Sequence, residues 1–154
     1  MQFREMKVLV VDDMFNMRRT LKNMLRYIGF DKVLEAGDGS KALELLAREK
    51  VDLVVSDWNM PTMTGIDLLR KVRQLENHRN VPFVMITAEI SEANIVQAAE
   101  SEVDGYMIKP FVARSLEEKI KTIFQNRAEP TPMERLMKAG QLLMEAGSFE
   151  AAAK

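Results

Sequence analysis

Three aspartates, a threonine and a lysine stand at the ends of short apolar runs: Asp12 and Asp13 after Lys7–Val11, Asp57 after Leu53–Ser56, Thr87 after Val81–Ile86, and Lys109 after Tyr106–Ile108. Carboxylates gathered at one place repel and resist ionisation unless a cation joins them. Magnesium answers that need: it takes oxygen ligands, uses one or two carboxylates, keeps waters and accepts phosphoryl oxygens. The backbone carbonyl of Asn59, just past Asp57, could add another oxygen. A carboxylate is also a nucleophile toward phosphorus and forms an aspartyl phosphate. Phosphoryl transfer asks chiefly for charge neutralisation and in-line positioning. Magnesium would take one phosphoryl oxygen, the Lys109 ammonium a second and the Thr87 hydroxyl a third. No general base for attack on another molecule accompanies them. The set therefore reads as a phosphoryl acceptor and switch, losing its phosphoryl group slowly, and not as an enzyme turning over a metabolite.

Such a set works only if the fold brings the run ends together. Lys7–Val11, Lys32–Ala36, Leu53–Asp57, Val81–Thr87 and Tyr106–Pro110 read as strands, the first and third of them buried, with Pro82 near the start of the fourth, where a missing N–H matters least. Between them the apolar period becomes helical. Met17, Leu21, Met24, Leu25 and Ile28 share one face of a helix that runs from Phe15 to a left-handed cap at Gly29, with Arg18 and Arg19 on a solvated face. Ala42, Leu43, Leu45 and Leu46 mark a second helix after the turn Gly37–Gly39, and Ile66, Leu69, Val72 and Leu75 a third, opened by a Thr64/Asp67 capping box. Ile95, Val96 and Ala99 mark a fourth from Ser91; Leu116, Ile120, Ile123 and Phe124 mark a fifth, opened by Ser115 and Glu118.

Strands alternating with helices predict an α/β fold, a doubly wound parallel sheet covered on both faces. Right-handed crossovers leave few layouts, and the flavodoxin-like order 2-1-3-4-5 sets the tips of strands one, three, four and five side by side at the edge where ligands bind. Pro130 and Pro132 break the pattern, so residues 127–132 read as a linker between a domain over 1–126 and a helical extension over 133–154. Leu136, Ala139, Gly140, Leu143, Gly147, Phe149 and Ala152 are spaced like the start of a tetratricopeptide repeat; an ordinary amphipathic tail fits equally well.

Composition narrows the function classes. The chain has 154 residues, 47% hydrophobic and 29% charged, as expected of a globular domain with a core. A net charge of -1 gives no basic surface for nucleic acid or anionic lipid, and zero cysteines exclude thiolate nucleophiles and zinc–thiolate sites. The charged start lacks the apolar core of a signal peptide, and no run approaches the ~20 apolar residues of a membrane span, so a cytoplasmic protein is expected. His78, the lone histidine, sits in the polar stretch Glu76–Asn80 and reads as solvated, without metal partners.

Asp12–Asp13, Ser56–Pro61, Thr87–Glu89 and Gly105–Phe111 together resemble the receiver domain of two-component response regulators in its CheY-like, chemotaxis form, from about Lys7 to Asn126. The resemblance implies that a sensor histidine kinase of the chemotaxis type phosphorylates Asp57. It implies that Asp12, Asp13, Asp57 and the Asn59 carbonyl bind Mg2+, and that Thr87 and Lys109 read the phosphoryl group. Tyr106 would swing from exposed to buried, reshaping an output face of the fourth helix, fifth strand and fifth helix that carries Ile95, Tyr106 and Lys119. Asn59 and Glu89 would tune dephosphorylation, and the Lys109–Pro110 bond would be cis. The flagellar motor switch or a phosphatase would be the further partner of a monomer, with a tail-mediated dimer as the alternative.

Other readings compete. A receiver could instead regulate a helical protein-interaction domain outside chemotaxis. A phosphohydrolase with an aspartyl-phosphate intermediate, of the haloacid dehalogenase kind, needs a second aspartate where Asn59 stands. A flavin or nucleotide binder needs a glycine- or hydroxyl-rich phosphate loop where Asp12 and Asp13 stand.

Overall fold

The computed structural model describes residues 3–88 and 103–126. Strands β1 (Lys7–Val11), β2 (Lys32–Ala36), β3 (Leu53–Asp57), β4 (Phe83–Thr87) and β5 (Gly105–Ile108) form one sheet in the order β2-β1-β3-β4-β5, all neighbours parallel. This is the flavodoxin-like α/β order expected. The central runs β1, β3 and β4 are almost wholly apolar because these strands are covered on both sides, whereas β2 at the edge carries the exposed Lys32 and Glu35. Side-chain alternation divides them: Leu9, Val11, Val54, Phe83 and Met85 pack with residues of helices α2 (Gly39–Arg48) and α3 (Gly65–Val72). Val8, Val10, Val55, Val84 and Ile86 pack on the other face with helix α1 (Phe15–Ile28) and the Ala113–Asn126 helix.

The helix ends follow local chemistry. Gly29, at φ 131°, closes α1 by donating its N–H to the carbonyls of Leu25 and Arg26. Asp38 caps α2 by accepting from the Lys41 N–H at 2.8 Å. Thr64 and Asp67 form the reciprocal capping box expected for α3. Gly65 brings that helix close beneath the β3 tip, since a Cβ there would lie 2.5 Å from the Asp57 carbonyl oxygen and from Met85 Sδ. The Lys109–Pro110 peptide is cis.

Four expectations need correction. β4 begins at Phe83 and not at Val81, because the Val81 N–H donates to His78 O and its carbonyl accepts from Arg73 Nη1, both outside the ladder. β5 spans Gly105–Ile108, so Lys109 lies just beyond it. Ser115 is not a cap: the last helix starts at Ala113, and the Val112 carbonyl accepts from the Ser115 and Leu116 N–H groups. Helix α3 ends at Val72, leaving Leu75 to pack on the core from the turn that follows. The expected fourth helix, with Ile95, and the proposed linker and extension over 127–154 lie outside the described residues, as does Glu89.

Candidate functional site

The register fixes the site. Val11 pairs with Ser56, which sets Asp12 and Asp57 beside each other past adjacent strand ends, and Thr87 pairs with Ile108, which sets Lys109 beyond the next pair. The Lys109 N–H donates to the Thr87 carbonyl at 2.8 Å, so that side chain returns across the tips. Its Nζ donates to Asp57 Oδ1 at 3.1 Å and lies 3.9 Å from Asp12 Oδ2. Asp12, Asp13 and Asp57 each offer a carboxylate oxygen, and these oxygens all lie within 4.8 Å of one another. The structure thus brings Asp12, Asp13, Asp57 and Lys109 together, as their places at the strand ends led one to expect.

Burial makes the cluster strained. Asp12 is 0% exposed, and its Oδ2 has no hydrogen-bond partner among the described residues, while Oδ1 accepts from the Met14 N–H at 2.9 Å. Burial pushes the Asp12 carboxyl above its ordinary range, the charge of Asp57 adds to this, and Lys109 opposes it. Burial likewise pushes Asp57 up, against the hydrogen bond and charge of Lys109. An orphaned anionic oxygen beside two more carboxylates is a hard-oxygen donor set fit for a metal ion. Asn59 is exposed at the rim.

Thr87 is buried at the tip of β4 and shares a side-chain hydrogen bond with Tyr106. Tyr106 is 2% exposed, further inside than a strand tyrosine at a surface, with its ring edge-on to Trp58 at 6.0 Å. Burial pushes its hydroxyl up to about 12, so it stays protonated at neutral pH. Lys119, also assigned to the output face, packs its stem over Gly105.

Two residues were misread from the sequence. His78 is not solvated: it is 2% exposed, and its Nε2 accepts from the Val51 N–H at 3.1 Å. Arg18 is not simply on a solvated face, since its Nη1 donates to the Asp12 carbonyl at 2.8 Å. A basic residue near the start of a helix whose first turn holds no acid runs against the helix dipole, and that was the available signal.

The family model of the response regulator receiver domain matches residues 8–121. The chain belongs to the response regulator receiver family. The chemotaxis protein CheY of Pseudomonas aeruginosa is 51% identical over 120 residues, covering 78% of this chain and 97% of the relative. CheY-3 of Vibrio cholerae is 48% identical over 122 residues, covering 79% and 94%. Among solved structures, CheY4 of Vibrio cholerae matches at TM-score 0.73 with 30% identity, over 77% of this chain and 98% of that one. The receiver domain of sensor histidine kinase PA1611 of Pseudomonas aeruginosa, with a magnesium ion coordinated in its active-site cleft, matches at TM-score 0.71 and 25% identity, over 78% and 98%. This receiver is thus a CheY-type response regulator whose acidic Asp12/Asp13/Asp57 cluster is the phosphoacceptor site, a signalling protein and not a catalyst, with a two-component kinase as partner. Among the described residues no helix is long and apolar enough to cross a membrane.

Proposed function

We propose that Asp57 accepts the phosphoryl group, that Asp12, Asp13, Asp57 and the Asn59 carbonyl hold Mg2+, and that Thr87 and Lys109 read the product. The observation that carries this is the Lys109 Nζ contact to Asp57 Oδ1 at 3.1 Å inside a cluster of three carboxylates. A carboxylate oxygen of Asp57 forms the new P–O bond as the donor's bond to phosphorus breaks, and the leaving group departs with the bonding pair. Bound Mg2+ would supply charge neutralisation at the phosphoryl oxygens. The Lys109 ammonium, 3.1 Å from Asp57 Oδ1, would take another phosphoryl oxygen, and the Thr87 hydroxyl would exchange its share in the Tyr106 hydrogen bond for a third.

Phosphorylation then favours the inward Tyr106 seen here over an outward one, as a population shift. The face of β5 and the Ala113–Asn126 helix, including Tyr106 and Lys119, changes for a partner; Ile95, assigned to the same output role, lies outside the described residues. Asn59 and Glu89 tune the phosphoryl lifetime. A cytoplasmic chemotaxis kinase is the donor, and the flagellar motor switch or a phosphatase the reader. The support is relatedness to chemotaxis receivers over nearly their full length.

The test is phosphotransfer from a chemotaxis kinase carrying labelled phosphohistidine. Label should move to the parent protein in magnesium and fail to move to Asp57→Asn or, in EDTA, to the parent. Equal transfer to Asp57→Asn would contradict the assignment.

A further inference from the structure

Arg18 lies in α1, a helical turn past its start, and its guanidinium reaches back toward the strand tips. Nη1 donates to the Asp12 carbonyl at 2.8 Å, and Nε donates to Glu35 Oε1 on β2 at 3.3 Å. The guanidinium carbon stands 5.5 Å from the centre of the Phe15 ring, and Glu35 Oε2 takes Lys22 Nζ at 3.1 Å. A planar fork held by a carboxylate, a ring and a carbonyl has little freedom left.

The carbonyl it holds belongs to the peptide that joins Asp12 to Asp13, so rotation of that one peptide plane redirects both carboxylates. The remaining groups of Asp12 are fixed as well: its N–H donates to the Ala36 carbonyl at 3.2 Å and its Oδ1 accepts from the Met14 N–H at 2.9 Å. Among the described residues only Oδ2 is left without a hydrogen bond, next to the other carboxylates. We propose that Arg18 is a positioning residue for the metal-binding carboxylates. It fixes the Asp12–Asp13 peptide, and Glu35, which it shares with Lys22, offsets part of the guanidinium charge so that the fork orients the acids while reducing their pull on a cation less than a bare cation would. Lysine cannot substitute, because a single ammonium on a flexible stem cannot hold the carbonyl, the carboxylate and the ring together.

This inference rests on the metal-assisted acceptor reading above, and the experiment separates the two. Magnesium binding is measured by calorimetry at constant ionic strength for the parent, Arg18→Met, Arg18→Lys and Glu35→Gln. The magnesium concentration that half-saturates phosphorylation by acetyl phosphate is measured alongside. Arg18→Met should weaken magnesium binding by about tenfold or more. Arg18→Lys should recover little of this, and Glu35→Gln should weaken binding roughly threefold. At saturating magnesium each variant should phosphorylate within about twofold of the parent, because the acceptor and Lys109 are untouched.

Parent-like affinity in Arg18→Met overturns the proposal, as does a rate loss that saturating magnesium does not restore. If Arg18→Met does not fold, Glu35→Gln decides the matter, and unchanged affinity there overturns it. A parent that binds no magnesium overturns the acceptor reading itself, an outcome distinct from a parent and an Arg18→Met variant that bind equally well.

Discussion

At the N-terminal edge of the sheet, Asp52 Oδ2 accepts from the Lys7 N–H at 2.8 Å, His78 Nε2 from the Val51 N–H at 3.1 Å, and Asp104 Oδ2 from the Phe83 N–H at 2.8 Å. Asp104 Oδ2 also takes Arg73 Nη2 at 3.0 Å. At the C-terminal edge Asp12 Oδ2 is equally buried and accepts nothing among the described residues. Polar side chains at one end of the strands satisfy backbone donors that would otherwise be lost, which holds the sheet together. At the other end three carboxylates share the ammonium of Lys109, and Asp12 Oδ2 is left without a hydrogen bond among the described residues. Stability and function occupy opposite edges of the same strands, and substitutions at the two edges should move stability in opposite directions.

The largest effect is expected at the N-terminal edge. Asp104→Ala leaves the Phe83 N–H and the Arg73 guanidinium without this carboxylate, and should cost about 3 kcal/mol in denaturant unfolding. A loss close to zero would mean that the edge is not a clamp. Next, His78→Leu should cost about 2 kcal/mol at neutral pH, since the Val51 N–H loses its acceptor.

The His78 interaction also has a pH signature. Burial, with Lys50 nearby, lowers the imidazole below its ordinary 6.5, against the pull of Asp52. The unfolded chain then binds the proton more readily. The contribution of His78 is present above 6.5 and lost as pH falls through 6.5 toward the folded value. Unfolding measured from pH 8 to pH 5 should show that slope in the parent and a flatter one in His78→Leu.

The C-terminal edge should respond with the other sign. Magnesium at ~10 times its dissociation constant should raise stability by about 1.4 kcal/mol, and should do nothing for a variant that cannot bind it. Asp12→Asn, measured without divalent ions at neutral pH, should stabilise by about 1 kcal/mol by removing a buried charge that Lys109, 3.9 Å away, only partly offsets, and should abolish the magnesium response. The sign follows from the pKa directions. Asp12 and Asp57 are both raised from 3.8, so what they contribute to stability is present below that value and lost as pH rises through their folded values. Destabilisation by Asp12→Asn would break the contrast between the edges.

The sheet and the acid cluster were legible in the sequence for a common reason. A strand covered on both faces is written as a continuous apolar run, and the residue that ends the run is then the residue at the edge, as with Asp12, Asp57 and Thr87. The Thr64/Asp67 box was legible because a reciprocal cap involves neighbours only. The same pattern misled at Ser115, where the spacing falls inside a helix whose start is set by the carbonyl of Val112.

His78 was misjudged because its partner Val51 lies far along the chain, and Arg18 because Glu35 and the Asp12 carbonyl reach it only once β1, β2 and α1 are packed together. A histidine in a polar stretch gives no local sign of such a partner, whereas Arg18 gave one in its place against the helix dipole. The cis peptide and the role of Tyr106 came from resemblance to a family and not from spacing; the cis bond is seen, and Tyr106 is buried.

The central claim, that the C-terminal edge exists to receive a phosphoryl group on Asp57, is tested most directly by intact mass after treatment with magnesium and acetyl phosphate, on the parent and on Asp57→Asn. A single phosphoryl adduct on the parent and none on the variant is the predicted result. An unmodified parent, or an adduct of equal occupancy on Asp57→Asn, would contradict it.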